Sequence, residues 1–182
     1  MLEDEAAISR VLSGQTEAFG VLVKRYERSV FCLVSGLIRD THSREDIAQE
    51  TFLSAYRHLG TYRPDRCKFS TWLLAIARNR CLNALKKKSP LPAARLPAPA
   101  TCPAAPDCLE ERELFERLDM ALAALPLEQK TTFVLCELVG LSGDEVARIE
   151  GVRPGTLRSR LSRAKAALRS LLGQFMEGEK AS

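Results

Sequence analysis

LSGDEVARIEGVRPGTLRSRLSRAKA, residues 141–166, holds two short helices and the glycine turn between them, and its reading decides the fold. Ser142 and Glu145 stand at the spacing of a reciprocal capping box, and Leu141 with Val146 fits the hydrophobic staple that sets a helix's entry angle. A helix therefore starts at about Gly143. It ends at Gly151, where a residue without Cβ enters the left-handed conformation a tight turn needs. Pro154 then suits the first turn of a second helix, because its missing N–H has no partner to lose there. Two helices joined in this way form a helix-turn-helix.

The second helix has two unlike faces. Leu157, Leu161, Ala164 and Leu168 recur at helical spacing, while Arg153, Arg158, Arg160, Arg163, Lys165 and Arg169 supply cations and no acid interrupts residues 151–173. A merely solvated face would mix signs. An all-cationic face behind a capped helix and a short turn points instead to phosphate, with DNA as the first candidate partner.

Outward from this stretch, the 182-residue chain has the composition of a soluble globular protein, 46% hydrophobic and 27% charged. The net charge of +4 is modest, but its distribution is uneven. Residues 62–88 carry eight Lys or Arg against Asp65 alone, whereas residues 1–61 carry nine acids and seven bases. Each half of the chain thus has its own basic surface. No apolar run approaches a membrane span, and Glu3, Asp4 and Glu5 oppose the basic start of a secretory signal, so a cytoplasmic protein with no membrane insertion is expected. None of the six cysteines forms a CxxC pair. Cys32, Cys81 and Cys136 sit in helical apolar patterns as small hydrophobes. Cys67, Cys102 and Cys108 leave open a redox or metal role as a minor alternative, and the expectation is no metal and no cofactor. His42 and His58 stand apart from any nucleophile or carboxylate pairing, so no enzyme is expected.

Residues 89–106 contain six of the nine prolines and read as an extended, semi-rigid linker. The expected organisation is an N-terminal domain at 1–88, the linker, a C-terminal domain at 107–174 and a tail at 175–182. In the first domain a helix at about 3–12 precedes one at 16–38, whose apolar stripe runs from Phe19 through Leu22, Val23, Tyr26, Val30, Leu33 and Val34 to Leu37. Ser43 and Asp46 are expected to cap a third helix, with Ile47, Ala48, Thr51, Phe52, Ala55, Tyr56 and Leu59 on its apolar side. A fourth spans 69–88 and ends on three lysines that suit its C-terminal dipole. Beyond the linker, helices at 107–124 and 127–139 lead into the helix-turn-helix. Nothing reads as a strand, so the fold class is all-α: two small helical domains joined by a Pro/Ala-rich linker.

The strings SREDIAQETFLSAY at 43–56 and FSTWLLAIARN at 69–79 resemble region 2 of bacterial sigma factors, and the helix-turn-helix resembles their region 4. With two domains, a short linker and little else, the chain is most similar to the extracytoplasmic-function (ECF) class of the sigma-70 family. The resemblance covers about residues 14–173 and rests on two motifs in the right order.

It implies binding to core RNA polymerase, through its largest and second-largest subunits, and to promoter DNA, with an anti-sigma factor as a further partner. Asp46, Gln49, Glu50 and Phe52 would lie on or support the surface that meets the clamp of the largest subunit. Phe52 reads first as core, and Gln49 and Glu50 as contacts. The loop at 62–68 and the helix after it would open the −10 element. There Tyr62, Phe69 and Trp72 could offer stacking surface and Arg63, Arg66 and Lys68 could track phosphate. Asn79 would line the pocket for a flipped base, flanked by Arg78 and Arg80. Trp72 reads equally well as a core aromatic. In the −35 helix, Arg158 and Arg160 would read bases or phosphates, while Thr156, Ser159 and Arg163, with Arg153 at the turn, position the backbone. Two departures stand out: Glu150 where the family often has an apolar residue, and Arg153 in place of a good N-cap.

Two rival readings remain. A plain helix-turn-helix regulator binding an operator explains 140–170 but not the pattern at 43–88. A cysteine-based sensor that binds DNA would reveal itself by bound zinc or an oxidant-dependent footprint.

Overall fold

The computed structural model describes residues 2–87 and 117–179, and every regular element among them is helical. The chain forms two compact units, residues 1–97 and 98–182. The linker expected at 89–106 and the first part of the helix expected at 107–124, up to residue 116, lie outside the described residues.

The first unit contains α1 (Leu2–Leu12), a 3-10 turn (Thr16–Ala18), α2 (Phe19–Leu37), α3 (Thr41–Arg57), a second 3-10 turn (Leu59–Thr61) and α4 (Phe69–Lys87). The long helix expected from residue 16 begins as the 3-10 turn and becomes α-helical at Phe19. Helices α2, α3 and α4 each pack on the other two. Leu22, Val30, Leu33 and Val34 of α2, Ala55 of α3, and Leu73, Leu74 and Ala77 of α4 are all but fully buried, each large aliphatic side chain contributing about 2 kcal/mol by leaving water. Thr51 enters this core without an orphaned hydroxyl, because its Oγ1 donates to the Ile47 carbonyl at 2.7 Å.

The start of α3 differs from the reading that Ser43 and Asp46 cap it. Asp40 is the N-cap: its carboxylate accepts from the Ser43 N–H at 2.9 Å, which moves the helix start back to Thr41 and puts Ser43 in the first turn. Arg44 is buried, and its Nε donates to the Ile38 carbonyl at 2.6 Å just past the end of α2. One guanidinium thereby satisfies a helix-end carbonyl and ties α3 to α2.

The second unit contains a helix described at 117–123 (α5), α6 (Leu127–Phe133), a π turn (Val134–Leu138), α7 (Gly143–Glu150) and α8 (Pro154–Glu179). Ala121, Leu122, Leu125, Ala164 and Leu168 form a core cluster joined by Phe133 and Leu172. The helix expected at 127–139 is not uniform. The Val139 N–H donates to the Val134 carbonyl at 2.9 Å, a five-residue span that inserts one extra residue before Gly140 ends the helix at φ 81°. Helix α8 runs on to Glu179, past the expected boundary at 174.

The helix-turn-helix forms as its local signals dictate. Ser142 Oγ accepts from the Glu145 N–H at 3.4 Å, and Glu145 Oε2 accepts from the Ser142 N–H at 3.0 Å, a reciprocal capping box. Gly151 caps α7 at φ 66°, ψ 34°. Ser142→Ala is expected to lower stability by about 1 kcal/mol and Ser142→Gly by only a few tenths, read from the urea midpoint of the full chain. A Ser142→Ala variant as stable as the parent would remove the side-chain cap from the account.

Candidate polymerase and nucleic-acid interfaces

On α3, Asp46, Gln49, Glu50 and Leu53 are exposed and recur at intervals of three and four residues, so they share one face. Leu53, which sequence reasoning passed over, is 53% exposed on a helix whose other side is core. The signal that could have found it was its spacing from Gln49 and Glu50. Phe52 is half-buried beside this strip rather than filling the core. Glu50 pairs with Arg80 of α4, so a residue expected at the polymerase surface and one expected at DNA hold each other in the free protein. Asp46 lies 3.9 Å from His42 one turn away.

The loop at 62–68 is built on an aromatic floor. Tyr62, Phe69 and Trp72 lie within 5.5–5.7 Å of one another, centroid to centroid, and Tyr26 of α2 joins Phe69 at 5.5 Å. Tyr62 is buried and its hydroxyl donates to the Cys67 carbonyl at 3.1 Å, closing the loop. These contacts make Tyr62 and Phe69 the base of the loop, with only the half-buried Trp72 left to offer ring surface. Helix α1 steadies the same cluster from below: Asp4 accepts from the Tyr26 hydroxyl at 2.7 Å and from Arg25 at 2.6 Å. Burial and the Asp4 carboxylate both raise the Tyr26 hydroxyl's pKa, so it stays a donor.

Above that floor Arg63, Arg66 and Lys68 are exposed. Along α4 an outward stripe follows at helical spacing, from the half-buried Trp72 and Ile76 to the exposed Asn79, Asn83 and Lys86. Asn83 is a second amide one turn beyond Asn79, also passed over by the sequence reading although the interval of four was visible. Arg78 is half-buried, donates to Asn79 Oδ1 at 3.2 Å and keeps an unpartnered Nε, while Arg80 turns to Glu50.

In α8 the rotational register separates the arginines. Leu157, Ala164 and Leu168 are buried, and the side opposite them carries Gly155, Ser159 and Ser162, all small and exposed. Arg158 flanks this strip on one side, and Thr156 and Arg163 flank it on the other, with about 140° between the two arginines at 3.6 residues per turn. Arg153 is exposed at the turn. Arg160 behaves differently. Its guanidinium meets Glu150 at 2.9 Å and Glu128 at 2.5 Å, and the Glu150 side chain is only 1% exposed. Thr132 Oγ1, fully buried, lies 2.9 and 3.1 Å from the two Glu150 oxygens. Glu150, which the sequence marks as a departure in an apolar position, is thus the centre of a buried polar network.

Burial pushes the Cys81 thiol up to about 12, which keeps it protonated and inert. Cys102 and Cys108 lie outside the described residues. No helix among the described residues is long and apolar enough to cross a membrane.

The two units coincide with two known regions. Residues 22–90 match the family model of Sigma-70 region 2, and residues 115–168 match that of Sigma-70, region 4. The ECF RNA polymerase sigma factor SigM of Mycobacterium tuberculosis is 33% identical over 96% of this chain and 87% of its own length. The ECF RNA polymerase sigma factor SigW of Bacillus subtilis is 31% identical over 91% of this chain and 94% of its own. Among solved structures, the sigma factor RpoE of Bartonella quintana, in complex with the anti-sigma factor NepR, shares the fold with a TM-score of 0.72 at 23% identity, covering 85% of this chain and 96% of that one. A region 2 and a region 4 in this order define a sigma-70-type promoter-directing subunit. The chain belongs to the ECF class of RNA polymerase sigma factors, which bind RNA polymerase and direct transcription initiation.

Proposed function

We propose that the three surfaces divide the work of promoter-directed initiation. The strip Asp46, Gln49, Glu50 and Leu53, supported by Phe52, docks on the clamp of the polymerase's largest subunit, and the remainder of the chain reaches the second-largest. The loop at 62–68 tracks the non-template strand of the −10 element through Arg63, Arg66 and Lys68. Its aromatic floor holds the loop in shape, and Trp72, Asn79 and Asn83 receive an unpaired base, with Arg78 close by. Melting follows from capture of that base. Arg80 is released to the strand when Glu50 engages the polymerase. The protein acts in the cytoplasm, an anti-sigma factor covers these surfaces until a signal arrives, and the polymerase supplies the chemistry.

The observation that carries the −35 assignment is the register of α8. Gly155, Ser159 and Ser162 are small enough to let the helix sink into the major groove, while Arg158 and Arg163 on opposite flanks reach base edges or the phosphates that border it. Arg158→Ala is expected to lower affinity for the −35 element at least tenfold and to relax preference at one base pair. Arg169→Ala should weaken all sequences alike and lower the salt slope by about one. The same pattern in both variants would make Arg158 a phosphate contact.

The test of the whole reading is transcription in vitro from fragmented genomic DNA by core polymerase, with and without the protein. New 5′ ends that share two spaced upstream elements are expected. With folded protein and active core, no new start would favour the operator-binding regulator.

A further inference from the structure

Arg160 lies on the same flank of α8 as Thr156 and Arg163, one turn from each, and both of those residues are exposed. A guanidinium on that flank has the reach to join them at a DNA phosphate. It is instead turned toward α6 and α7, where it meets one exposed and one buried carboxylate. Glu128, 70% exposed, is a surface partner, and such pairs exchange readily for other anions. Glu150 is not exchangeable in this way. Its carboxylate is buried, is fixed by the Thr132 hydroxyl, and would be left uncompensated if Arg160 departed.

We propose that Glu150 is a positioning residue for promoter recognition: held by Thr132, it keeps Arg160 off the DNA, so that −35 discrimination falls to Arg158 and the small-residue strip. An arginine that meets phosphate strengthens binding to every sequence equally and dilutes discrimination between them. Internal neutralisation of one cation, in a stretch that carries no acid between Gly151 and Gly173, limits that sequence-independent term. The inference rests on the reading of α8 as the −35 helix.

The test uses the full chain assembled with core polymerase, a promoter fragment from the transcripts above, and the same fragment with its −35 element scrambled. Binding is followed across a salt series. Glu150→Leu combined with Thr132→Val replaces the buried polar pair by apolar side chains and leaves Glu128 as the only carboxylate on Arg160. The expected result is a salt slope steeper by about one and a several-fold smaller affinity ratio between intact and scrambled promoters. Adding Arg160→Ala should restore the parent's slope, a reversal that a merely structural role for Glu150 would not produce. If the apolar double variant fails to fold, Glu150→Gln, which keeps one carbonyl acceptor for Arg160, turns an amide N–H toward Thr132 Oγ1 and removes the charge, is expected to move both quantities in the same direction by a smaller step. An unchanged slope and ratio in a folded variant would overturn the proposal. A parent holoenzyme indifferent to scrambling of the −35 element would instead overturn the underlying assignment of α8.

Discussion

Arg160→Ala is expected to destabilise the second unit by about 3–5 kcal/mol, because it leaves the Glu150 carboxylate, 1% exposed, without its cation. The Thr132 hydroxyl cannot carry that charge alone. A single domain has only about 5–15 kcal/mol of stability in total, and this unit is small, so much of the variant's C-terminal half should be unfolded at growth temperature. Hydrogen exchange resolved by segment is the suitable measurement, since it reports each unit separately. Amides of α6, α7 and α8 should lose most of their protection while α2, α3 and α4 keep theirs. Arg158→Ala, on the exposed side of the same helix, should leave exchange almost unaltered. Equal protection in the two variants would show that the Arg160 and Glu150 side chains do not form a buried pair in solution.

Leu53→Glu should abolish most binding to core polymerase with no loss of fold. The side chain is 53% exposed at the C-terminal end of the strip it forms with Asp46, Gln49 and Glu50, so a carboxylate there stays in water in the free protein. In the complex it would be buried against whatever the leucine packs on. Loss of an apolar anchor that packs in a partner's pocket costs about 2 kcal/mol, about 30-fold in affinity, and burial of an unpaired charge adds to this. Glu50→Lys should act more weakly at the interface itself, and it also places a cation beside Arg80, which now lacks its partner. Titration of labelled core polymerase, with thermal unfolding as the control for fold, separates these effects. A folded Leu53→Glu variant that binds core as the parent does would remove α3's outer face from the polymerase surface.

Local signals were legible wherever neighbours in the chain decide the outcome. The capping box of Ser142 and Glu145 and the left-handed Gly151 involve only residues within a turn of one another, and both form as their spacing requires. The apolar stripe of α2 was equally plain, because burial of Leu22, Val30, Leu33 and Val34 follows from helical periodicity alone. A near miss came where two local caps lie three residues apart: Asp40 caps α3, and Ser43 falls in its first turn, where its N–H and its hydroxyl both donate to the Asp40 carboxylate.

What the chain determined by itself is the all-helical class, the helix-turn-helix, the sign of its wet face and the family to which these motifs belong. Only the tertiary structure decided which charges remain available to partners. From sequence, Arg158 and Arg160 are equivalent cations two residues apart. In three dimensions one faces solvent and the other is held by Glu128 and Glu150, which reach it from different helices. Tyr62, likewise, reads as a stacking surface until Phe69, Trp72 and the Cys67 carbonyl are seen around it. The physical reason is the same in each case. Periodicity specifies which side of a helix is dry, but the pairing of a charge or ring depends on what a distant segment brings to it, and no local spacing encodes that.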